Sequence, residues 1–373
     1  MTPLDRLRGA GVSIWLDDLS RELLETGRFA DLVARCGVTG ATSNPSIFAK
    51  AINGSDRYDE QLRGLIGRGV LDERSLFFEL ALEDVRRAAT VLRPAFDASD
   101  GRDGFVSFEC TPDVADDAEA TTMQALDVCR RLRDLPNLLI KVAATDAGID
   151  AIQELTAGGV RVNVTLLFSQ RRHQQAIDAY LNGLERRADA GRTIGGVDSV
   201  ASFFVSRIDA LLDARLDASS PLRGRIAMAN AELAHARQLR TIESRRWRRL
   251  AMRGARPQRL LWASTATKDP AYSDTRYVQE LVAPDAINTM PLATLEAFRD
   301  HGDIGRTLGA DTAPARRLLD DLADAGVDLS AATDELERNG IEAFAQSYRE
   351  LLDCIASRVA RLRAEAADAE VAR

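Results

Sequence analysis

Leu138-Leu139-Ile140-Lys141-Val142-Ala143-Ala144 is a short apolar run interrupted by a single lysine. Its length and composition read as a buried strand rather than a helix. The lysine stands out because the chain has only three, Lys50, Lys141 and Lys268, against 46 arginines among its 49 cationic residues. A guanidinium stays protonated in proteins, whereas an amine that has lost its proton is a nucleophile. Burial on a strand favours that neutral form, because it disfavours the charged one. A lone lysine at a strand end more often snorkels to solvent. The weight given to Lys141 therefore rests on what accompanies it.

Outward from this stretch, runs of the same kind recur, each followed by a polar or glycine-containing turn and a helical pattern. They fall at 12–16, 37–41, 105–108, 138–142, 160–164, 193–197, 260–263 and 286–288. Helical periodicity occupies 21–35, 113–134 and 169–189 between them, and Thr111-Pro112 reads as an N-cap followed by proline at the first helical position. Strands alternating with helices imply parallel pairing, since each return crossover is long. Eight such units predict a (β/α)8 TIM barrel with extra helices. The alternative is a doubly wound open sheet, but no glycine-rich phosphate loop follows the first strand. We expect one barrel domain over 1–373, with helical insertions at 49–104 and 208–258 and a helical tail at 331–373. The Arg-rich stretch 240–249 is interleaved with Glu243, Ile242 and Trp247, and reads as a solvated helix rather than a nucleic-acid patch.

Composition narrows the class of function. The chain has 373 residues, 45% hydrophobic and 28% charged, as soluble globular proteins do. A net charge of -8 argues against nucleic acid or an anionic membrane as the main partner, so any anionic substrate needs local basic groups. The N-terminal Met1-Thr2-Pro3-Leu4-Asp5-Arg6 lacks the apolar core of a signal peptide. Cys36, Cys110, Cys129 and Cys354 show no CxxC spacing, which predicts neither a zinc site nor a disulfide framework. We expect a cytoplasmic protein. His173, His235 and His301 lie far apart in the sequence, which disfavours a histidine-based triad or metal site.

In a (β/α)8 barrel, chemistry sits at the C-terminal ends of the strands and in the loops beyond them. Those positions hold Asp17-Asp18, Thr42-Ser43-Asn44-Pro45-Ser46, Glu109, Lys141, Asn163-Val164-Thr165, Ser202 with Arg207, and Ser264 with Lys268. A carboxylate alone at such a place is as readily a cap or an ion-pair partner. Together these residues would bring two carboxylates, an amine, two amides and several hydroxyls to one mouth. A neutral amine there can form a Schiff base with a ketone or aldehyde, and the protonated imine accepts electrons from a breaking carbon–carbon bond. Nearby carboxylates can act as general acid and base. Arg207, Ser264 and Lys268 offer donors for a phosphate, which the loop after strand seven often hosts.

Six segments in order carry a specific resemblance. Trp15-Leu16-Asp17, Thr42-Ser43-Asn44-Pro45-Ser46, Leu139-Ile140-Lys141-Val142, Asn163-Val164-Thr165-Leu166-Leu167-Phe168-Ser169, Ser202-Phe203-Phe204-Val205-Ser206-Arg207 and Leu261-Trp262-Ala263-Ser264-Thr265 resemble those of the transaldolase family. Chain length and Asn288-Thr289-Met290-Pro291 are similar to its longer bacterial branch. The resemblance implies a class I aldolase-type barrel, with no metal and no cofactor, that moves a dihydroxyacetone unit between sugar phosphates. On it, Lys141 matches the Schiff-base lysine, and Asp17 the acid/base at the hydroxyl beside the cleaved bond. Glu109 and Thr165 match the pair holding the water of carbinolamine formation and breakdown. Asn44, Asn163 and Ser202 match groups around the dihydroxyacetone moiety, and Arg207 and Ser264 match the phosphate binders. Many members carry arginine where this chain has Ala266, and Lys268 is a candidate for that charge. Strand alternation selects Asp17 over Asp18 as the inward carboxylate, and Lys50 receives no role. Three alternatives stay open: an aldolase on the same scaffold, a divalent-metal barrel enzyme using Asp17, Glu109 and Lys141, and a non-catalytic sugar-phosphate sensor. Monomer and homodimer are equally open, with no nucleic acid or membrane partner expected.

Overall fold

Eight parallel strands, hydrogen-bonded in sequence order, close on themselves: β1 (Ser13–Leu16), β2 (Val38–Thr42), β3 (Phe105–Glu109), β4 (Leu138–Ala143), β5 (Val162–Leu167), β6 (Ser199–Phe204), β7 (Arg259–Ala263) and β8 (Ile287–Met290). This computed structural model describes residues 1–70, 72–305, 307–309 and 311–371. The arrangement is the expected (β/α)8 barrel, with helices returning the chain outside the sheet. Among the described residues, no helix is long and apolar enough to cross a membrane.

The barrel interior is filled rather than hollow. Trp15, Phe105, Leu139, Val200, Leu261 and Ile287 form one buried cluster within it, and the indole N–H of Trp15 donates to Asp103 at 2.8 Å. β2 accommodates this plug with Gly40, where a Cβ would lie 2.4 Å from the Trp15 ring. Overpacking of this kind costs about 1–3 kcal/mol. Gly40→Ala should therefore lower the midpoint of urea unfolding by a matching amount, and an unchanged midpoint would show that Trp15 has room to move.

The structure corrects some expected boundaries. The sixth strand is Ser199–Phe204, not 193–197. Ile194 and Val197 instead join a separate buried cluster with Tyr180, Trp247 and Leu250, and Gly196 turns the backbone at φ +77°. The fifth strand is Val162–Leu167, not 160–164, so Thr165 lies within it rather than beyond its end. The helix expected over 21–35 is two, Arg21–Glu25 and Arg28–Cys36, parted by Gly27 at φ +75°. Pro112 opens only a single 3-10 turn, Pro112–Val114. The following α-helix, Ala118–Arg131, is capped by Asp117, whose carboxylate accepts from the Ala120 amide at 2.9 Å.

The two long intervals are helical. Pro45–Asn53, Asp59–Gly67 and Glu73–Ala98 fill the first, and Ser206–Asp213, Ile226–Glu243 and Arg245–Ala251 fill the second. The Arg-rich stretch spans the last two of these helices. Trp247 is buried from it, and Arg246 pairs with Glu185 at 2.8 Å and Asp178 at 3.2 Å.

After β8 the chain forms Leu292–His301, Ala313–Asp324 and a 43-residue helix, Leu329–Val371. Positions 372 and 373 of the expected tail lie outside the described residues. The long helix packs on Pro45–Asn53 and Glu73–Ala98. Polar contacts fasten it along its length: Arg215 to Glu335 at 2.6 Å, Arg172 to Glu337 at 2.9 Å, Ser46 to Ser347 at 2.6 Å, and Arg358 and Arg361 to the buried Asp59 at 3.1 and 2.6 Å.

Candidate active site

Lys141 projects from the middle of β4 and is 6% exposed. Its Nζ donates to Glu109 Oε2 at 3.1 Å and to the Ser43 carbonyl at 3.4 Å. The pairing follows from register, since Glu109 of β3 and Lys141 of β4 are direct partners across parallel strands. Burial pushes the Glu109 carboxyl up from its ordinary range, and the Lys141 charge opposes that rise. A carboxyl so placed holds its proton more readily than an exposed one and can return it to a departing hydroxyl.

Two adjoining cavities meet at this lysine. The smaller, about 150 Å³, is lined by Asp17, Thr42, Thr165, Ser202, Ser264 and Lys268 among others. The larger, about 330 Å³, has Glu109, Ser46, Lys50 and the long C-terminal helix in its wall. Asn44, Lys141, Phe204 and Arg207 line both. Residues scattered over 250 positions thus converge on one mouth, as the strand-end pattern predicts.

The details give each side chain its capacity. Asp17 follows β1 directly, its amide held by the Met290 carbonyl at 2.8 Å. Its carboxylate accepts from the Thr42 hydroxyl at 2.7 Å, and Thr42 in turn meets the Thr289 hydroxyl at 2.9 Å. Asp18 lines neither cavity: burial raises its pKa, and the Lys50 charge opposes that rise. Thr165 is wholly buried, and its hydroxyl has no hydrogen-bond partner, so it can hold a small polar guest. Asn44 lines the cavity while its side-chain oxygen caps Pro45–Asn53, accepting from the Ile47 amide at 3.0 Å.

Asn163 occupies a different place from the other residues singled out. It is buried beneath the cavity, donating to Ser107 at 3.0 Å and accepting from Ser202 at 2.7 Å. It fixes Ser202, which does line the cavity.

The cationic end is equally defined. Arg207 enters from the start of Ser206–Asp213 with its guanidinium 5.5 Å from the Phe204 ring centre. Lys268 also lines the smaller cavity. Burial pulls both pKa values down, and for Lys268 the Arg207 charge adds to the effect. Neither has an ion-pair partner within 4 Å among the described residues, so the cavity keeps positive charge that a phosphate would neutralise. Ser264 lines the same cavity in the left-handed region at φ +56°, its hydroxyl 3.0 Å from that of Ser206. Such strain in a non-glycine residue persists where the surrounding structure holds it, often at a ligand site.

Several lining residues escaped the sequence reading. Thr42 and Thr289 were quoted as polar residues at strand ends but given no role. Lys50 had only its rarity. Gly340, Ala343, Phe344 and Ser347 come from the C-terminal helix, which no strand-end rule could place.

A closed parallel barrel with a buried lysine and carboxylates at its mouth has the architecture of a (β/α)8 enzyme. Comparison with known proteins is consistent with this and narrows it. The family model described as Transaldolase/Fructose-6-phosphate aldolase matches residues 14–355. A transaldolase of Frankia alni is 48% identical over 365 residues, covering 96% of this chain and 98% of that protein. One of Thermobifida fusca is 48% identical over 365 residues, covering 96% and 99%. One of Mycolicibacterium smegmatis is 47% identical over 356 residues, covering 94% and 95%. The chain belongs to the transaldolase/fructose-6-phosphate aldolase family. It is an enzyme, a transferase with transaldolase function.

Proposed function

We propose that this chain moves a dihydroxyacetone unit from sedoheptulose 7-phosphate to glyceraldehyde 3-phosphate through a Schiff base on Lys141. The observation that carries this reading is the buried Lys141 amine 3.1 Å from Glu109 at the junction of the two cavities. The amine adds to the ketose carbonyl, and Glu109, with a water at Thr165, moves the protons that let the carbinolamine hydroxyl leave as water. Asp17 then takes the proton of the hydroxyl beside the bond to be broken. That bond's electron pair passes into the iminium and erythrose 4-phosphate departs as the aldehyde. The enamine left on Lys141 adds to glyceraldehyde 3-phosphate, Asp17 returns the proton, and hydrolysis of the new imine releases fructose 6-phosphate. Asn44 and Ser202 hold the three-carbon unit and Asn163 holds Ser202. Arg207, Ser264 and Lys268 take the phosphate. We read the compartment as the cytoplasm, where sugar phosphates are its partners.

Transfer rather than release is favoured by the walls around Lys141. Phe204 and Phe344 line the larger cavity, and apolar walls limit the water that would hydrolyse the enamine-bearing intermediate. With fructose 6-phosphate alone, free dihydroxyacetone should form far more slowly than transfer proceeds with erythrose 4-phosphate present. Equal rates would turn the reading into that of an aldolase.

Arg207→Ala tests the phosphate assignment. A charge-assisted contact to phosphate is worth about 1.5–3 kcal/mol, so KM for phosphorylated sugars should rise about 10–100-fold. KM for unphosphorylated dihydroxyacetone acceptor pairs should stay within about twofold of wild type by the same arithmetic. An unchanged KM for the phosphates would remove Arg207 from that role.

A further inference from the structure

Lys268 is carried by the loop that leaves β7 after Ala263. Arg207, its companion in the smaller cavity, lies instead in the first turn of the helix Ser206–Asp213. The Arg207 charge acts on Lys268. Like charges turned toward one space repel, so the loop that bears one of them has to be held in place. Packing beneath it does not do this. The loop borders a hollow of about 400 Å³, walled by Asp209, Asp213, Arg223 and Tyr277.

Hydrogen bonds close the loop on itself. The Thr267 hydroxyl donates to the Ser273 carbonyl at 2.7 Å and draws its two sides together. Within it, the Asp269 carboxylate accepts from the Ala271 amide at 2.9 Å, and the Asp269 carbonyl from the Tyr272 amide at 3.1 Å. Lys268 and Tyr272 thus belong to one short, internally bonded unit.

Tyr272 moors that unit. Its hydroxyl donates to Asp213 Oδ2 at 2.8 Å, and the Gly224 amide donates to Oδ1 of the same carboxylate at 2.8 Å. Asp213 is 6% exposed and ends the helix whose first turn carries Arg207. The loop of Lys268 is therefore referred to the same rigid element as Arg207. Arg276 stacks 4.6 Å from the Tyr272 ring centre while donating to the Gly224 carbonyl. Gly224 itself stands at φ +67°, and a Cβ there would lie 2.6 Å from Tyr272 Cζ. One turn before Asp213, Asp209 accepts from the Tyr277 hydroxyl and the Ala227 amide at 2.8 Å each, a second tie between the same segments.

We propose that Tyr272 is a positioning residue for the substrate phosphate: bonded to Asp213, it sets where Lys268 stands relative to Arg207, so that the two cations grip one phosphate together. This rests on the reading above that both cations take the phosphate. It gives the opening of the 208–258 interval, through Asp213 and Gly224, a part in substrate binding.

Tyr272→Phe removes one hydroxyl from a half-buried ring and is assayed in the full-length enzyme with saturating fructose 6-phosphate as donor. KM for glyceraldehyde 3-phosphate as acceptor should rise about threefold to tenfold, the worth of one hydrogen bond. KM for unphosphorylated glyceraldehyde, and kcat, should stay within about twofold of wild type. Gly224→Ala, which presses on the same ring, should give the same split between the two acceptors. Lys268→Ala should raise KM for glyceraldehyde 3-phosphate about tenfold or more. Adding Tyr272→Phe to Lys268→Ala should then cost nothing further, because the tyrosine acts through that lysine. A merely structural role would add its own loss, and to both acceptors. Additive effects, or an unchanged KM in Tyr272→Phe beside a raised one in Lys268→Ala, overturn the positioning role and leave the phosphate reading standing. An unchanged KM in Lys268→Ala takes Lys268 out of the phosphate site and the proposal with it.

Discussion

Lys141→Arg should lose transaldolase turnover on the order of 10⁶-fold, the scale seen when a covalent enzyme loses its nucleophile. The arginine keeps the positive charge beside Glu109 but cannot give up a proton to become nucleophilic. A charge or packing role for Lys141 would survive this substitution in large part; a role in bond formation would not. Borohydride added with fructose 6-phosphate should leave a reduced adduct on the peptide carrying residue 141 of the wild type and none on the variant. Because Lys141 is buried against Glu109, thermal unfolding of the variant is the needed control, and Lys141→Met supplies a second test without the bulk of a guanidinium. Adduct on the variant, or on any other lysine of the wild type, would sink the mechanism. With only Lys50 and Lys268 as rivals, peptide mapping is decisive.

Asp17→Asn should reduce kcat about 10²–10⁴-fold, the usual worth of a positioned general acid or base, while leaving imine formation intact. The amide oxygen can still accept from Thr42, whose hydroxyl lies 2.7 Å from the carboxylate, so the local hydrogen bond survives. What is lost is the group that takes the proton as the carbon–carbon bond breaks. The distinguishing readout is the size of the trapped species. Wild type reduced by borohydride in the presence of fructose 6-phosphate should carry the three-carbon unit. The variant, able to form the imine but slow to cleave it, should carry the intact six-carbon sugar phosphate. A three-carbon adduct accumulating on the variant at the wild-type rate would transfer the acid/base role elsewhere, with Glu109 the next residue to test.

Much of the fold was legible because each barrel strand is short, apolar and followed by a helix. The sixth strand was misplaced for a definable reason. Ser199-Val200-Ala201-Ser202 is made of small residues, half of them polar, while Ile194 and Val197 nearby are more hydrophobic yet serve a side cluster with Tyr180 and Trp247. The sequence pattern could not tell a buried loop from a buried strand. The cavity residues on β3 and β4 and those directly after β1 and β7 were legible as polar groups at predictable strand positions. Asn163 was recognised as important, but its two hydrogen bonds to Ser107 and Ser202 depend on the packing of three strands and have no local signature. The lining from 340–347 was not legible at all, because it reaches the cavity by docking of the C-terminal helix on Pro45–Asn53, a segment nearly three hundred residues away.

That docking has a consequence for how the enzyme comes into being. Every strand of the barrel, with the paired Glu109 and Lys141, has been synthesised once Met290 is added. Yet Gly340, Ala343, Phe344 and Ser347, which wall the larger cavity, are translated afterwards, and Arg358 and Arg361 reach Asp59 later still. A barrel formed before then would hold Lys141 under an open roof. The catalyst is finished last, when the end of the chain folds back over a lysine made more than two hundred residues earlier.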